Sequence, residues 1–116
     1  MIITGKYPKL RLRRARKQEW TRRLLEENSL SSSDFILPIF LKEGKNKISK
    51  INTMPGVNRY TIDKLPKIID KALRLKIPMI ALFPEISSSK KDLNGSEALN
   101  PNNLICKGIS YIKKKY

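Results

Sequence analysis

Two continuous apolar runs stand out against the longer amphipathic and polar stretches of the chain. They are FILPIFL at residues 35–41 and IPMIALFP at residues 77–84, and both are rich in residues that favour β-structure. Continuous rather than alternating apolarity is typical of strands covered on both faces, as in parallel sheets. The pattern therefore predicts two parallel strands buried on two faces, with Pro38 at an end or irregular point of the first.

The first helical period covers residues 17–27. Trp20, Leu24 and Leu25 share one face of this stretch, which predicts a short helix. Asn28 is a typical helix stop, so the helix is expected to end there.

Two longer helices are predicted in the second half of the chain. Residues 61–76 form a helix that begins near Lys64, because Pro66 is tolerated only in a first turn. Its apolar stripe is Leu65, Ile68, Ile69, Ala72 and Leu73. The last helix has Pro101 in its first turn, and its predicted buried face is Leu104, Ile105, Gly108, Ile109 and Ile112.

The order of these elements indicates an α/β fold. A strand, a helix and a second strand form a βαβ unit, which implies a parallel pair joined by a right-handed crossover. Residues 42–60 are predicted to be a polar excursion, in which MPGV forms a turn with Pro55 second and Gly56 at positive φ. The loops after Leu41 and Phe83 leave the carboxyl ends of the strands, where α/β folds place their sites.

Composition narrows the classes of function. The chain has 116 residues, no histidine and one cysteine, Cys106. This composition excludes an intramolecular disulfide, histidine acid–base chemistry and almost every common zinc site within these residues. No run approaches the roughly 18 apolar residues of a membrane span, and the start does not resemble a secretory signal. We expect a cytoplasmic protein without a membrane partner.

The formal net charge of +15 is concentrated at the two ends. Residues 1–23 carry nine Lys or Arg against one acid, whereas residues 24–105 carry twelve bases against nine acids. A basic arm can bind nucleic acid or contact an acidic neighbouring subunit. A general preference for lysine in the composition is a third explanation, so the charge alone selects no partner.

Five segments, taken in order, resemble the amino-terminal part of a known family. They are RLRRARK at 11–17, FILPIFLKEG at 35–44, MPGVNRY at 54–60, ALFPEI at 81–86 and KKDLNGSEALNPNNLI at 90–105. Each segment alone is a weak signal, but five in the expected order are specific. The family is porphobilinogen synthase, also called delta-aminolevulinic acid dehydratase.

The resemblance implies a (β/α)8 TIM barrel preceded by an extended arm. Residues 1–28 would be the basic arm with its short helix, and residues 29–116 a partial barrel of about two βα units. The family condenses two molecules of 5-aminolevulinate into porphobilinogen through two Schiff-base lysines. Its members use zinc or magnesium and form homo-oligomers, often octamers, through the arm.

A barrel of this type needs about 250 residues, and the chain ends before the expected third strand. We therefore expect the first third of a truncated or split synthase, inactive by itself, with an open sheet edge and exposed apolar strand faces. The resemblance places the catalytic lysines, the metal ligands and the substrate-carboxylate contacts beyond Tyr116, so it assigns no site residue to this chain.

The loop after the second strand carries the tempting candidates, Lys90 and Lys91. A Schiff-base lysine needs a pKa lowered by apolar burial or a cationic neighbour, but these two stand among serines and Asp92. A solvated, architectural loop is therefore favoured. Asp92 and Glu97 are a weak signal for a hard cation, and Glu97 is better explained as a local hydrogen-bond acceptor.

Cys106 and Trp20 are best explained as packing residues, the first in the core and the second anchoring the arm helix. The strongest cationic cluster is Arg11, Arg13, Arg14, Arg16 and Lys17. No recognised nucleic-acid motif accompanies it, so nucleic-acid binding is only the alternative function. A third hypothesis is an assembly remnant that docks on a longer synthase.

Overall fold

The computed structural model describes residues 4–11 and 13–116. Residues 1–3 and 12, which belong to the predicted arm, lie outside the described residues. The chain divides into a first unit that ends at Leu30 and a second unit, Ser31–Tyr116.

The first unit contains two short helices, α1 (Arg14–Lys17) and α2 (Glu19–Leu24). The prediction of one helix over 17–27 is wrong in its bounds, because Gln18 is extended, with φ −102° and ψ 149°. The Arg22 side chain donates hydrogen bonds to two carbonyl oxygens at the end of α1, 3.1 and 3.4 Å away. These bonds satisfy carbonyls that the break leaves without helical partners.

The second unit is built on one four-stranded sheet with the order β2-β3-β1-β4. Three helices follow its strands, and the last two are separated by a turn. The strands are β1 (Ile36–Leu41), β2 (Ile48–Lys50), β3 (Asn58–Tyr60) and β4 (Met79–Pro84), and the helices are α3 (Leu65–Arg74), α4 (Ser96–Leu99) and α5 (Leu104–Lys115).

Strands β1 and β4 are parallel over six residue pairs, from Ile36 opposite Met79 to Leu41 opposite Pro84. The predicted βαβ unit is therefore confirmed, with α3 as its crossover. Side chains of paired residues share a face and alternate along the strand. One face carries Leu37, Ile39, Leu41, Ile80 and Leu82 and packs on the core, while the other carries Ile36, Pro38, Phe40, Met79, Ala81 and Phe83.

The prediction that both strands are buried on two faces is wrong. On the second face, which we call the helix-free face, Ile36 is 57%, Met79 56% and Phe83 47% exposed. Strand β4 is also an edge of the sheet within the described residues. The expected open edge and exposed apolar strand faces are confirmed, because the described part of the chain has nothing to cover them.

The polar excursion predicted for residues 42–60 contains a β-hairpin that the sequence reasoning missed. Strands β2 and β3 pair antiparallel, and β3 adds parallel to the end of β1. The predicted turn is confirmed at its tip, where Val57 N–H donates to the Met54 carbonyl at 3.0 Å and Gly56 has φ +80°. Each strand has only three residues, too few for a detectable period.

Pro38 occupies the middle of β1, a strand with a neighbour on each side. Lys42 N–H donates to β3 at Tyr60 O, 3.0 Å away, so the even-numbered groups of β1 point towards the β3 side. Strand β3 reaches only Phe40 and Leu41. The position of Pro38 therefore has no ladder partner, and its missing N–H costs no hydrogen bond.

The core of the second unit lies between the sheet and its helices. Ile39, Leu41, Leu65 and Ile69 form its buried centre. Leu65 and Ile69 come from the predicted stripe of α3, and Pro66 lies in the first turn as predicted. Leu73 was predicted in the same stripe but is 56% exposed, so this part of the prediction is wrong.

Helix α5 packs against β1 and β4. Asn103 caps it, with its side-chain oxygen accepting from Cys106 N–H at 2.8 Å, so Pro101 lies before the helix rather than in its first turn. Gly108 is buried, and a Cβ there would stand 3.0 Å from Leu41 Cδ1. Glycine thus permits close approach of helix to sheet, whereas Ile109, predicted on the buried face, is 42% exposed.

None of the helices in the described residues has the length and apolar character needed to cross a lipid bilayer.

Truncating Ile69 tests the position of the core. Ile69→Ala removes a buried side chain and should lower the free energy of unfolding by about 2–5 kcal/mol. Leu73→Ala, one helical turn away and exposed, is the matched control and should change it by about 0.5 kcal/mol or less. Urea denaturation of both variants measures the difference, and equal losses would contradict the described packing of α3.

Candidate functional site

The carboxyl ends of β1, β3 and β4 lie at the same end of the sheet, because all three strands run in the same direction. We call this end the carboxyl edge. The chain leaves β1 at Lys42 and β4 at Glu85, and Glu85 N–H donates to the Leu41 carbonyl at 2.7 Å. This bond extends the pairing one residue past β4. The two loops that follow therefore start side by side, at the edge where parallel α/β folds hold their sites.

A first ion cluster closes this end of the helix-free face. Arg59 Nε lies 3.2 Å from one oxygen of Glu85, and Lys42 Nζ lies 3.8 Å from the other. Lys42 also donates to the Ser49 hydroxyl at 3.3 Å. One carboxylate is thus shared by two cations that come from β3 and the end of β1, which ties three strand ends together.

A second ion cluster joins the two loops. Lys90 forms a hydrogen-bonded ion pair with Glu43 and lies 3.9 Å from a Glu97 oxygen. The hydrogen bond from Lys90, followed by its charge, holds the pKa of the Glu43 carboxyl below its usual value. The same hydrogen bond raises the pKa of Lys90. Lys90 is therefore kept as an ammonium, which is the opposite of what an amine nucleophile requires.

The rest of the second loop is held by its own side chains. Ser96 N–H donates to Asp92 at 3.0 Å, and bonding from Ser96 holds the pKa of Asp92 below its usual value. Glu97 accepts a hydrogen bond from the Asn100 side-chain amide at 3.3 Å, and Asn103 donates to the Glu97 carbonyl at 3.3 Å. Polar contacts of this kind fix the path from β4 to α5.

A cavity of about 270 Å³ opens between the end of β4 and the start of α5. Its lining is mostly apolar and includes charged side chains, a combination found in small-molecule sites. Glu43, Glu85, Lys90 and Glu97 supply the charges, and the other lining residues are Pro84, Ile86, Ala98, Asn103, Leu104 and Ile105.

The remaining sequence candidates do not join these clusters in the described residues. Lys91 is exposed and outside the ion pairs, and Cys106 is a half-buried free thiol on α5. Trp20 is 66% exposed in the first unit. The cationic residues of the arm, Arg11, Arg13, Arg14, Arg16 and Lys17, are exposed there too, and Arg11 stands over the Tyr7 ring at 5.5 Å.

The described residues hold no group of side chains that fits a zinc or magnesium site. Within the described residues no three His, Cys, Asp or Glu side chains come together. The carboxylates at the carboxyl edge are each engaged by a cation or an amide instead.

Sequence reasoning missed Lys42, Glu43, Arg59 and Glu85. Lys42 and Glu85 are the first residues after β1 and β4, so their positions carried a usable signal. Arg59 carried none, because the hairpin that holds it was not predicted. The pairing of Glu43 with Lys90 spans 47 residues and has no local signature.

The Glu43–Lys90 pair should make stability depend on pH in the acid range. Because folding lowers the pKa of Glu43, its stabilisation is present above the ordinary value of 4.5 and is lost as the pH falls through the lower folded value. Glu43→Gln should therefore be less stable than the parent at pH 7, and this difference in stability should narrow as the pH is lowered from 4.5 towards 3. Thermal unfolding of the parent and the variant measures the difference at each pH. The experiment uses low ionic strength, since salt screens exposed ion pairs.

Glu26→Gln is the control for this measurement, since the structure shows no ion pair for Glu26 within the described residues. It should track the parent at both pH values. A gap for Glu43→Gln that persists unchanged at pH 3 would contradict the assignment.

Three comparisons identify the relatives of this chain. Residues 9–116 match the family model of delta-aminolevulinic acid dehydratase. The delta-aminolevulinic acid dehydratase of Bradyrhizobium diazoefficiens is 48% identical over 107 residues, which are 92% of this chain and 30% of that protein. The dehydratase of Ruminiclostridium josui is 37% identical over 106 residues, 91% of this chain and 51% of that protein.

A solved structure is similar in fold as well as sequence. Delta-aminolevulinic acid dehydratase of Toxoplasma gondii, in complex with the reaction product porphobilinogen, superposes with a TM-score of 0.77 at 30% identity. The superposition covers 92% of this chain and 30% of that one. The chain thus spans about a third of most of these relatives, and it belongs to the delta-aminolevulinic acid dehydratase family.

Proposed function

We propose that this chain supplies the N-terminal third of a porphobilinogen synthase, the lyase that condenses two 5-aminolevulinate molecules into porphobilinogen for tetrapyrrole and heme synthesis. The carrying observation is the TM-score of 0.77 over 92% of the chain to a dehydratase with its product bound. Membership of the family over residues 9–116 favours this function over nucleic-acid binding.

The arrangement of the sheet supports a place in a (β/α)8 barrel. In such barrels helices cover the outside of a ring of parallel strands, and side chains of the inner face fill the interior. Helices α3 and α5 pack on one face of β1 and β4, so the helix-free face is the interior face. Strands β1 and β4 are then the first two barrel strands, and the ion clusters lie at the end where barrel active sites form.

The chemistry of the loops supports an architectural role for this third. Lys90 is held protonated between Glu43 and Glu97, and Lys42 and Arg59 share the Glu85 carboxylate. These pairs orient the loops of the barrel mouth and engage the Lys90 amine. The family resemblance assigns the covalent chemistry to lysines outside these residues, together with the ligands of the family's zinc or magnesium, and no step here passes through a metal.

The first unit supports the family's mode of assembly, in which the arm contacts a neighbouring subunit of a homo-oligomer. Trp20 and Leu24 are 66% and 75% exposed there, and they lie four residues apart on α2, so they form an apolar pair on one side of the helix that suits contact with another subunit. The single cysteine, Cys106, suits the reducing cytoplasm.

A chimera tests the proposed function. Residues 9–116 replace the matched region of the Bradyrhizobium dehydratase, and porphobilinogen formation from 5-aminolevulinate is measured. We expect activity within about tenfold of the parent enzyme, since roughly 1.4 kcal/mol of transition-state stabilisation corresponds to tenfold. A folded chimera without activity would reject the proposal. Turnover by the 116-residue chain alone would show that the catalytic residues lie within this chain and would contradict the proposed location of the chemistry.

Lysine replacements in the same chimera test the architectural role of the loop. Lys90→Arg keeps a cation for Glu43, and Lys91→Arg keeps an exposed charge, so both should retain activity. Borohydride trapping with 5-aminolevulinate, followed by peptide mass spectrometry, should label neither Lys90 nor Lys91 in the unreplaced chimera. A reduced adduct on either lysine would show that the loop carries the covalent chemistry.

A further inference from the structure

The loop that leaves β1, residues 42–47, contains two residues in the left-handed region of backbone conformation. Gly44 has φ +112° and Asn46 has φ +56°. Residues 43–47 are all exposed, so apolar burial does not hold the loop in place. A residue other than glycine stays in the left-handed region only where surrounding contacts hold it there. The path of this loop therefore depends on polar contacts.

Asp63 supplies the contact that holds Asn46. It belongs to the turn Ile62–Lys64, directly before α3. Both of its carboxylate oxygens accept from Asn46 N–H, at 3.1 and 3.0 Å. A hydrogen bond to an ionised carboxylate is stronger than one between neutral groups. The bond spans 17 residues of sequence and ties the loop to the start of the crossover helix.

The two ends of the loop are anchored separately. Lys42 N–H donates to β3 at 3.0 Å. The buried Thr61 hydroxyl bonds both the N–H and the carbonyl of Lys47, each at 3.1 Å. Between these ends, Asp63 is the side chain that bonds the backbone of residues 43–46 in the part of the chain that the structure describes. It is therefore the support for the middle of the loop.

Glu43 depends on this support for its contact with Lys90. It lies three residues before Asn46, and its carboxylate forms the ion pair that joins the loop after β1 to the loop after β4. A cavity of about 410 Å³, with Gly44 in its lining, separates this part of the loop from α5. The loop has room to shift away from Lys90 if the bond to Asp63 is removed.

The polar contacts continue from Lys90 to the start of α5. Lys90 lies 3.9 Å from a Glu97 oxygen, and the Glu97 carboxylate accepts from the Asn100 amide. Asn103, which caps α5, donates to the Glu97 carbonyl. One set of polar contacts thus connects the start of α3 with the start of α5 across the carboxyl edge.

We propose that Asp63 is a positioning residue at the carboxyl edge: by holding Asn46 it places Glu43 against Lys90, and it thereby fixes the loop after β4 relative to the loop after β1. No ion pair joins Asp63 to Lys90 among the described residues, so the effect is transmitted by the backbone of the loop. Any consequence for catalysis rests on the proposed function, whereas the consequence for Glu43 does not.

Titration of Glu43 tests the proposal. Its side-chain carboxyl is followed by NMR in the 116-residue chain, and Glu43→Gln identifies the signal. In the parent, the hydrogen bond and then the charge of Lys90 hold the pKa of Glu43 below 4.5, with a smaller contribution from the charge of Lys107. Asp63→Ala should raise this pKa towards 4.5, because the loop no longer holds Glu43 against Lys90. Asp63 is exposed, so the replacement leaves the core intact.

The sign of the change separates positioning from electrostatics alone. Removing a nearby negative charge lowers the pKa of a carboxyl group, so loss of the Asp63 charge by itself would lower the pKa of Glu43 or leave it unchanged. Asp63→Asn removes the same charge but keeps an oxygen acceptor for Asn46 N–H. It should therefore keep the pKa of Glu43 below 4.5.

Asp34→Ala is the matched control for this titration. Asp34 is also an exposed carboxylate that accepts from a backbone N–H, that of Ser31, at 2.7 Å. It lies in the turn before β1 and does not contact the loop after it. Its replacement should leave the pKa of Glu43 as it is in the parent.

Amide hydrogen exchange at Asn46 gives a second measurement. The Asn46 amide should exchange at least about tenfold faster in Asp63→Ala than in the parent, because it loses its acceptor. In Asp63→Asn it should stay close to the parent. Faster exchange at Asn46 with an unchanged pKa of Glu43 would show that Asp63 holds the loop without positioning Glu43, and it would reject the proposal.

The chimera with the Bradyrhizobium dehydratase separates this proposal from the proposed function. There, Asp63→Ala should lower kcat/KM at least about threefold, because small displacements at an active site are costly, and Asp63→Asn should retain it. An inactive chimera without replacements would reject the proposed function and leave the titration as the test of positioning. An unchanged or lower pKa of Glu43 in Asp63→Ala would reject the positioning role, whatever the activity of the chimera.

Discussion

The parallel pairing of β1 with β4 is the constraint on which the rest of the second unit depends. Its six-residue register assigns each apolar side chain to one of two faces. It presents Ile39, Leu41 and Leu82 to α3 and α5, and it brings the two strand ends to the same edge. A slip of one residue would reverse every side chain, exposing the core face and burying the helix-free face. Helix α5 approaches the sheet closely at Gly108, where an added Cβ would lie 3.0 Å from Leu41 Cδ1. This contact requires the register that turns Leu41 towards the helix.

Charge at the carboxyl edge is balanced although the chain as a whole is strongly basic. Three cations, Lys42, Arg59 and Lys90, meet three carboxylates, Glu43, Glu85 and Glu97. Three of the ten acidic residues of the chain are thus gathered at one end of one sheet. The excess positive charge lies elsewhere, largely in the first unit and at the end of α5. The basic composition therefore says little about this edge, where pairing keeps the lysine protonated and the loops in place.

A feature was predictable when it depends on residues close together in the sequence, and it was missed when it depends on residues far apart. Both long strands and the crossover helix were predictable, because runs of apolar residues and a helical stripe are local signals. The hairpin was not, since its three-residue strands are held by partners such as Thr61, whose hydroxyl bonds both the N–H and the carbonyl of Lys47 at 3.1 Å. The prediction of burial on two faces was wrong because an apolar run shows that both faces of a strand can be buried, not that they are. Among the described residues, helices cover only one face of the sheet. For the site, strand order indicated which loops meet, but the pairing of Glu43 with Lys90 depends on tertiary geometry.

The two prolines that flank β4 limit how far another strand can pair along its outer edge. An open edge of six unprotected residues beside an apolar face would be a template for indiscriminate pairing between copies. Pro78 and Pro84 remove two of the four outward N–H positions at residues 78–84, so prolonged pairing loses hydrogen bonds at both ends. Prolines at these two positions therefore restrict the association of β4 with arbitrary strands.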